Sequence, residues 1–338
     1  NRAAREMLQR VDMLVKTDVR RIWGGTFHSI GNRLLRKCAE SIGYTSNFSI
    51  LDSEDAKDVM EAAIETVCID QKSRRFPKPG LLQELHSLSI NKEMPLPEVI
   101  AAGFADLIPL IDDIEKVLIN YSLRKQVANS MDYDDLLFNW KRSMVQSPEV
   151  LAQFSTQFQH VLVDEYQDTN KIQSEIVDLL ASTHKNIMVV GDDAQSIYAW
   201  RGANFENIYR FTERYPDART LRLENNYRSR PEILAVANSS ILENIKQLKK
   251  TLHATRPGAG EKPALVPLGS VDEQAAFVCS RILELHEQGC PLADIAVLYR
   301  SHWQSLELQL EMTRRGIPYS IRSGARFCCR RNSRNWAW

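Results

Sequence analysis

Two adjacent carboxylates, Asp164 and Glu165, directly follow a short apolar run at residues 160–163. The β-branched run predicts a buried strand, and ligands of parallel sheets bind at the carboxyl ends of strands. A carboxylate placed there can hold Mg²⁺, usually through water, while its neighbour can orient or deprotonate a water that attacks a phosphate. Locally, an acidic helix N-terminus explains the pair equally well.

A second polar segment follows the next apolar run, residues 187–190. In it, Gln195 is suited to sensing a terminal phosphate by hydrogen bonds. Two aromatic side chains and a cation follow within one short loop, namely Tyr198, Trp200 and Arg201. That combination suits stacking on unpaired bases and binding of phosphate. A core tryptophan beside a turn glycine is the alternative on local grounds.

A third segment pairs Tyr227 with Arg228, between a weak predicted strand at 221–223 and a helix predicted from about 229 to 248. The tyrosine ring could stack on a base, and the guanidinium could reach a phosphate as an internal arginine finger. Taken alone, this segment is a weak signal.

The elements that must position these residues follow from hydrophobic periodicity. Helices are predicted at 1–15 and 26–40, and the stretch from about 54 to 140 is almost purely helical, with Asp52 or Ser53 as a cap. From residue 160 strands alternate with helices, which indicates an α/β fold with a parallel sheet and flanking helices. A second such pattern has predicted strands at 264–268, 295–299 and 318–321 and predicted helices at 272–287 and 303–315.

Composition indicates an ordinary soluble globular chain of two or three domains, with 338 residues and zero net charge. Basic residues concentrate at 1–37, with a balance of +6, and at 314–338, with +7. Such patches can bind phosphates locally, although a solvated face is the more common explanation. No apolar run approaches the roughly 20 residues that span a bilayer, and the six cysteines form no CxxC pair. We expect a cytoplasmic protein without membrane contact.

The order of these segments resembles that of the UvrD/Rep family of superfamily 1 DNA helicases. Residues 163–170, 190–203 and 223–229 resemble the family's motifs II, III and IV, and the first of these is a Walker-B arrangement. Four more stretches also resemble family segments: 1–7 (motif Ia), 25–28 (motif Ib), 131–137 and 297–301. The resemblance extends over residues 1–327.

The resemblance implies two RecA-like P-loop NTPase motor domains with ATP in the cleft between them, single-stranded DNA across the top, and an all-helical insertion. The first RecA-like domain would comprise residues 1–27 and 151–224, the helical insertion residues 28–150, and the second RecA-like domain residues 225–338.

The resemblance also implies roles for individual residues. Asp164 would coordinate Mg²⁺ and Glu165 would activate water. Gln195 and Arg228 would contact the γ-phosphate of ATP, and Tyr227 would stack on adenine. The DNA contacts would be made by Trp200, Tyr198, Arg201, Thr26, His28 and Asn1.

The sequence departs from the family pattern at both ends. It contains no G-x-x-x-x-G-K-[ST] phosphate loop, and motifs V and VI do not follow the family segments present. Residues 328–338 do not continue as the family does. We therefore expect a piece of a longer protein that does not hydrolyse ATP at a useful rate by itself.

The function implied is that of an ATP-dependent DNA helicase, with 3′→5′ direction taken from the family alone. Its partners would be single-stranded DNA, single-strand/duplex junctions and repair or replication proteins. The alternatives are a helicase-like subunit of a helicase–nuclease complex and a DNA- or ATP-binding module without catalysis. A metal nuclease using Asp164, Glu165 and Asp168 would leave Tyr227 and Arg228 unexplained.

Overall fold

A computed structural model describes residues 2–15, 22–67, 76–199, 202–258 and 260–321. The chain divides into two compact units, one of residues 1–226 and 238–253 and the other of residues 227–237 and 254–338. The α-helices of the described residues are α1 (Arg2–Leu14), α2 (Phe27–Cys38), α3 (Ser53–Thr66), α4 (Pro79–Lys92), α5 (Leu96–Gly103), α6 (Ile111–Val127), α7 (Tyr133–Gln146), α8 (Pro148–Gln157), α9 (Lys171–Leu180), α10 (Glu206–Tyr209), α11 (Phe211–Arg214), α12 (Pro231–Ile241), α13 (Val271–Glu287) and α14 (Leu306–Arg314).

Strands are short and few in the described part of the chain: β1 (Ser49–Ile50), β2 (Ser130–Met131), β3 (Val161–Val163), β4 (Ile187–Val189), β5 (Asn225–Asn226) and β6 (His253–Ala254). β1 pairs with β2, and β3 pairs with β4, both in parallel. Val161 lies opposite Ile187 and Val163 opposite Val189. The parallel β3–β4 pair with α9 between its strands is an α/β arrangement, as the sequence predicts.

Helices dominate the described residues from 27 to 157. Asp52 caps α3 in a reciprocal capping box with Asp55, which confirms one of the two predicted caps. α2 packs on α7 where Gly31 faces Trp140, and a Cβ on that glycine would lie 3.0 Å from the indole. Around Trp140 a buried apolar core joins this segment to α9. A second apolar core gathers α3, α4, α5 and α6.

A buried charged cluster lies between α6 and α7. The Lys125 side chain is 1% exposed and lies 2.5 Å from Asp132 Oδ2 and 2.6 Å from Asp135 Oδ2. Tyr121 donates a hydrogen bond to Asp132 Oδ2 at 2.8 Å, and its ring lies beneath the ammonium. Burial and the neighbouring charge of Asp132 raise the pKa of Asp135 to about 6. The two carboxylates are thus paired with the buried ammonium and also accept backbone N–H groups of each other's residues.

The β3–β4 pair packs on a small core of its own. Val163, Tyr166, Val177 and Phe211 are buried there. Asn170 begins α9 in a capping box with Gln173. Because Val163 and Val189 lie opposite each other at the ends of the two strands, the turns that follow β3 and β4 lie close together.

The prediction of strands in the second α/β pattern was wrong, although its helices form as α13 and α14. Residues 264–268, 295–299 and 318–321 pair with no other strand in the described chain. Leu265 is 95% and Leu298 93% exposed, so neither segment has the buried face that stabilises a strand. The weak strand at 221–223 is likewise not formed, and α12 ends at Ile241, short of the predicted 248.

No helix among the described residues is long and apolar enough to cross a membrane.

Candidate functional site

The acidic pair lies where the sequence places it, at the carboxyl end of β3. Both side chains are exposed. Glu165 adopts the left-handed conformation, with φ 51° and ψ 44°, which non-glycine residues seldom take and which recurs at functional sites. Its backbone N–H donates to Asp164 Oδ1 at 3.0 Å. The turn thus presents two neighbouring carboxylates to solvent at the edge of the sheet.

A buried glutamine joins this pair to the loop that follows β4. Gln167 is 1% exposed. Its Nε2 donates to Glu165 Oε2 at 2.7 Å, and its Oε1 accepts from the backbone N–H of Asp192 at 2.9 Å. A single side chain therefore connects the candidate water-activating carboxylate with the segment that leads to Gln195.

Gln195 is exposed, and its side chain turns back onto its own loop. Its Nε2 donates to Asp192 Oδ2 at 2.9 Å. Lys250 Nζ contacts the other oxygen of Asp192 and lies 3.4 Å from Asp193 Oδ1. Burial opposes ionisation of Asp192, but the hydrogen bonds from Lys250 and Gln195 outweigh it and lower its pKa. The loop after β4 is thus held in place by the contacts of Asp192 and Asp193 with Lys250.

Asp168 is the third carboxylate after β3. Burial, and then the charge of Glu165, raise its pKa, and its Oδ1 is buried without a hydrogen-bond partner. Across the described chain, no three His, Cys, Asp or Glu side chains are grouped as a metal site. Asp164, Glu165 and Asp168 thus do not form the three-carboxylate cluster that the nuclease alternative needs.

Two predicted DNA contacts begin helix α2. Thr26 is exposed and caps the helix, its Oγ1 accepting from the Ser29 backbone N–H at 3.3 Å. The ring of His28 meets that of Tyr133 edge-on, 5.9 Å between centroids. Burial lowers the pKa of His28, against the opposing charge of Asp134. Both residues therefore have structural roles in the fold, whatever they bind.

The aromatic loop after β4 is described only up to residue 199 and again from 202. Tyr198 is 39% exposed, and its carbonyl accepts from the Ala203 backbone N–H at 3.3 Å. Trp200 and Arg201, like Asn1, lie outside the described residues.

The third predicted segment belongs to the second unit. Tyr227 is 72% exposed, and its carbonyl accepts a hydrogen bond from Arg256 Nε at 3.1 Å. Arg228 is also exposed.

Three further residues of the site were not predicted from sequence: Gln167, Asp192 and Lys250. Gln167 lies two residues beyond Glu165, so proximity in sequence was a usable signal. Lys250 lies 58 residues from Asp192 along the chain, and no local pattern marks it.

These features define an α/β protein with an acidic pair at the carboxyl edge of a parallel strand pair and a hydrogen-bonded link to the neighbouring loop. The model of the UvrD/REP helicase N-terminal domain matches residues 1–216, and that of the UvrD-like helicase C-terminal domain matches residues 221–335. The chain therefore belongs to the UvrD/REP helicase family.

Proteins similar to this chain include helicases of three bacteria. The chain is 36% identical over 329 residues to the ATP-dependent DNA helicase PcrA of Leuconostoc citreum. The aligned region covers 97% of this chain and 43% of that protein. The chain is also 36% identical over 327 residues to proteins of that name from Staphylococcus epidermidis and Staphylococcus aureus, with 97% of this chain and 44% of each relative covered. The chain thus spans less than half the length of these relatives.

Proposed function

We propose that this chain is part of an ATP-dependent DNA helicase, which couples ATP hydrolysis to movement along single-stranded DNA in the 3′→5′ direction and so unwinds duplexes. The observation that carries the proposal is the exposed pair Asp164 and Glu165 at the end of β3, bonded through Gln167 to the loop after β4. Such a link is what a motor needs if nucleotide and DNA are to influence each other.

The proposed architecture is that of two RecA-like domains. Residues 1–27 and 151–224 contribute to the first, residues 28–150 form a helical insertion in it, and residues 225–338 begin the second. The helical character of 27–157, the parallel β3–β4 pair, and the family boundary between 216 and 221 support this division.

ATP and Mg²⁺ are the proposed cofactors. Mg²⁺ keeps several waters and takes one or two carboxylates together with the phosphates of a nucleotide. Asp164 fits this role as an exposed carboxylate with one neighbouring acid. When bound, Mg²⁺ neutralises charge on the transferred phosphoryl group. Glu165 would accept the proton of the attacking water at its carboxylate, the other oxygen being held by Gln167.

Three more residues are proposed to contact the nucleotide. Gln195 would reach the terminal phosphate by exchanging its hydrogen bond to Asp192 for one to a phosphate oxygen. Arg228 would offset the charge of that phosphate, and Tyr227 would stack on the adenine through its exposed ring.

Single-stranded DNA and single-strand/duplex junctions are the proposed partners, with repair or replication proteins beyond them. Tyr198 and Trp200 would stack on bases, because every base has a π face. Arg201, Thr26, His28 and Asn1 would lie along the DNA backbone. DNA binding through phosphates should weaken as salt rises.

The test is strand separation by the full-length protein on duplexes with a 3′ or a 5′ single-stranded tail. We expect ATP-dependent unwinding of the 3′-tailed substrate and little of the 5′-tailed one. Unwinding of the 5′-tailed substrate alone would reverse the direction. Tight DNA and ATP binding without hydrolysis would favour the non-catalytic module.

A further inference from the structure

We propose that Gln167 is a positioning residue that orients Glu165 for water activation and ties it to the loop at residues 190–199. This inference rests on the proposed function, since it concerns how the same carboxylate is held. It goes further by naming the side chain through which the loop acts on hydrolysis.

The amide of Gln167 can satisfy both partners in only one orientation. Its NH₂ group faces the Glu165 carboxylate at 2.7 Å, and its carbonyl faces the Asp192 N–H at 2.9 Å. The flipped amide would set oxygen against carboxylate and NH₂ against N–H, so each contact would be repulsive. Each hydrogen bond therefore requires the amide orientation that the other also requires, and the Gln167 side chain acts as a connector between Glu165 and Asp192.

Burial makes this connector difficult to break. Gln167 is 1% exposed, so water cannot replace a lost partner, and an unsatisfied buried polar group is costly. Glu165, by contrast, is exposed, and without a partner its side chain would sample several rotamers. The ordered amide thus confers its position on an otherwise free carboxylate.

Gly191, two residues after the end of β4, allows the loop to come this close. A Cβ on Gly191 would lie 2.7 Å from Gln167 Oε1 and 2.9 Å from Ile208 Cδ1. A larger residue would force the Gln167 amide, the Ile208 side chain or the loop itself to shift. Gly191→Ala should therefore weaken the same link from the opposite side.

The loop that Gln167 holds is also the loop of the proposed ligand contacts. Asp192, whose N–H is bonded to Gln167, accepts from Gln195 through its side chain. Tyr198 lies three residues beyond Gln195 in the same loop. A shift of this loop on DNA binding would move the Asp192 N–H and, through the rigid amide, the Glu165 carboxylate. DNA stimulation of hydrolysis should accordingly depend on Gln167.

The experiment compares Gln167→Met and Gln167→Glu with the unmodified full-length protein, measuring ATP hydrolysis with and without single-stranded DNA. Methionine keeps the length and apolar volume and removes both hydrogen bonds. We expect kcat to fall about 10²-fold, the usual cost of misplacing a catalytic group by about 1 Å. KM for ATP should change little, because the amide of the buried Gln167 is bonded to Glu165 and to the Asp192 N–H.

Gln167→Glu adds a readout that a merely structural role would not change. The new carboxyl can donate to Glu165 only while it is protonated, and the repulsion between adjacent carboxylates raises the pKa of the pair. Activity of this variant should therefore fall as pH rises through that raised pKa, relative to the unmodified protein. The comparison is made within one folded protein, so it holds even if Gln167→Met fails to fold.

Gln173→Met is the matched control. The Gln173 side chain also makes a hydrogen bond, accepting from the Asn170 backbone N–H at 3.0 Å in the α9 cap. This bond does not involve Glu165. It should retain near-normal kcat and DNA stimulation. If the unmodified protein hydrolyses ATP but Gln167→Glu shows an unchanged pH profile and full DNA stimulation, the inference is wrong and the proposed function stands. If the unmodified protein does not hydrolyse ATP with DNA present, the proposed function itself fails.

Discussion

Replacing Lys125 by Met should strongly destabilise the helical segment that α6 and α7 belong to. The methionine retains an apolar side chain of similar length and removes the ammonium, which lies over the Tyr121 ring. Asp132 and Asp135 then remain buried and close together, with no cation between them.

The magnitude follows from the burial of Lys125 and its two short contacts. The ammonium is 1% exposed, and its carboxylate partners are 12% exposed, so water offsets little of the loss. Two charge-assisted hydrogen bonds at about 1.5–3 kcal/mol each give about 3–6 kcal/mol. Breaking a buried ion pair by removing one partner typically costs ~3–5 kcal/mol. We therefore expect a loss of about 3–5 kcal/mol at pH 7.

The loss should depend on pH with a definite sign. Burial and the charge of Asp132 already raise the pKa of Asp135 to about 6 with the lysine present. Removing the cation raises it further, so the folded variant binds protons more tightly than the unfolded chain. When a carboxyl group has a higher pKa in the folded protein, the free energy of unfolding decreases as pH rises from the unfolded pKa, near 4, through the folded pKa. The variant should consequently be less destabilised at pH 5 than at pH 7.

Amide hydrogen exchange in α6 and α7 is the suitable assay, because it reports local opening free energies without requiring two-state unfolding of a two-unit chain. Lys116→Met is the control on the same helix. Lys116 is 62% exposed and pairs with Asp113 at 3.2 Å, so its loss should cost about 0–1 kcal/mol. Equal protection in the two variants, or a Lys125→Met loss that does not change with pH, would show that the ammonium does not stabilise the two buried carboxylates.

Three further outcomes are expected in the full-length protein. Tyr227→Ala should weaken ATP binding in equilibrium titration, and unchanged affinity would mark Tyr227 as a packing residue. Trp200→Ala should weaken single-stranded DNA binding by about 1–3 kcal/mol, the value of one stacked base; normal DNA affinity in the folded variant would assign the ring to the core. Lys250→Met should raise the pKa of Asp192 toward its ordinary value, measured by NMR of the carboxyl carbon, because the lysine hydrogen bond lowers it.

Local patterns predicted β3, β4 and the cap of α3 well, because these elements carry their own signals. The apolar runs at 160–163 and 187–190 became β3 and β4 within one residue at each end. Asp52 became a helix cap because its side chain has backbone donors within its own turn. The acidic pair was found because an apolar run followed by two carboxylates is visible in any reading of the sequence.

The features that were not predicted depend on contacts between residues that are far apart in the sequence. Residues 264–268 and 295–299 have the composition of strands, but a strand also needs a neighbour to bond, and the described chain supplies none. Lys250 reaches Asp192 across 58 residues. Gln167 lay inside a predicted motif, yet its bond to the Asp192 N–H becomes visible only once β3 and β4 are adjacent.

Glu165 is the proposed water-activating carboxylate of DNA-stimulated ATP hydrolysis. The most direct measurement is phosphate release by the full-length protein with single-stranded DNA, for the unmodified chain and for Glu165→Gln. We expect DNA-stimulated release that falls by about 10²-fold or more in the variant, since a removed general base costs about that much, while ATP binding is retained. Near-normal release by Glu165→Gln would show that Glu165 does not activate water.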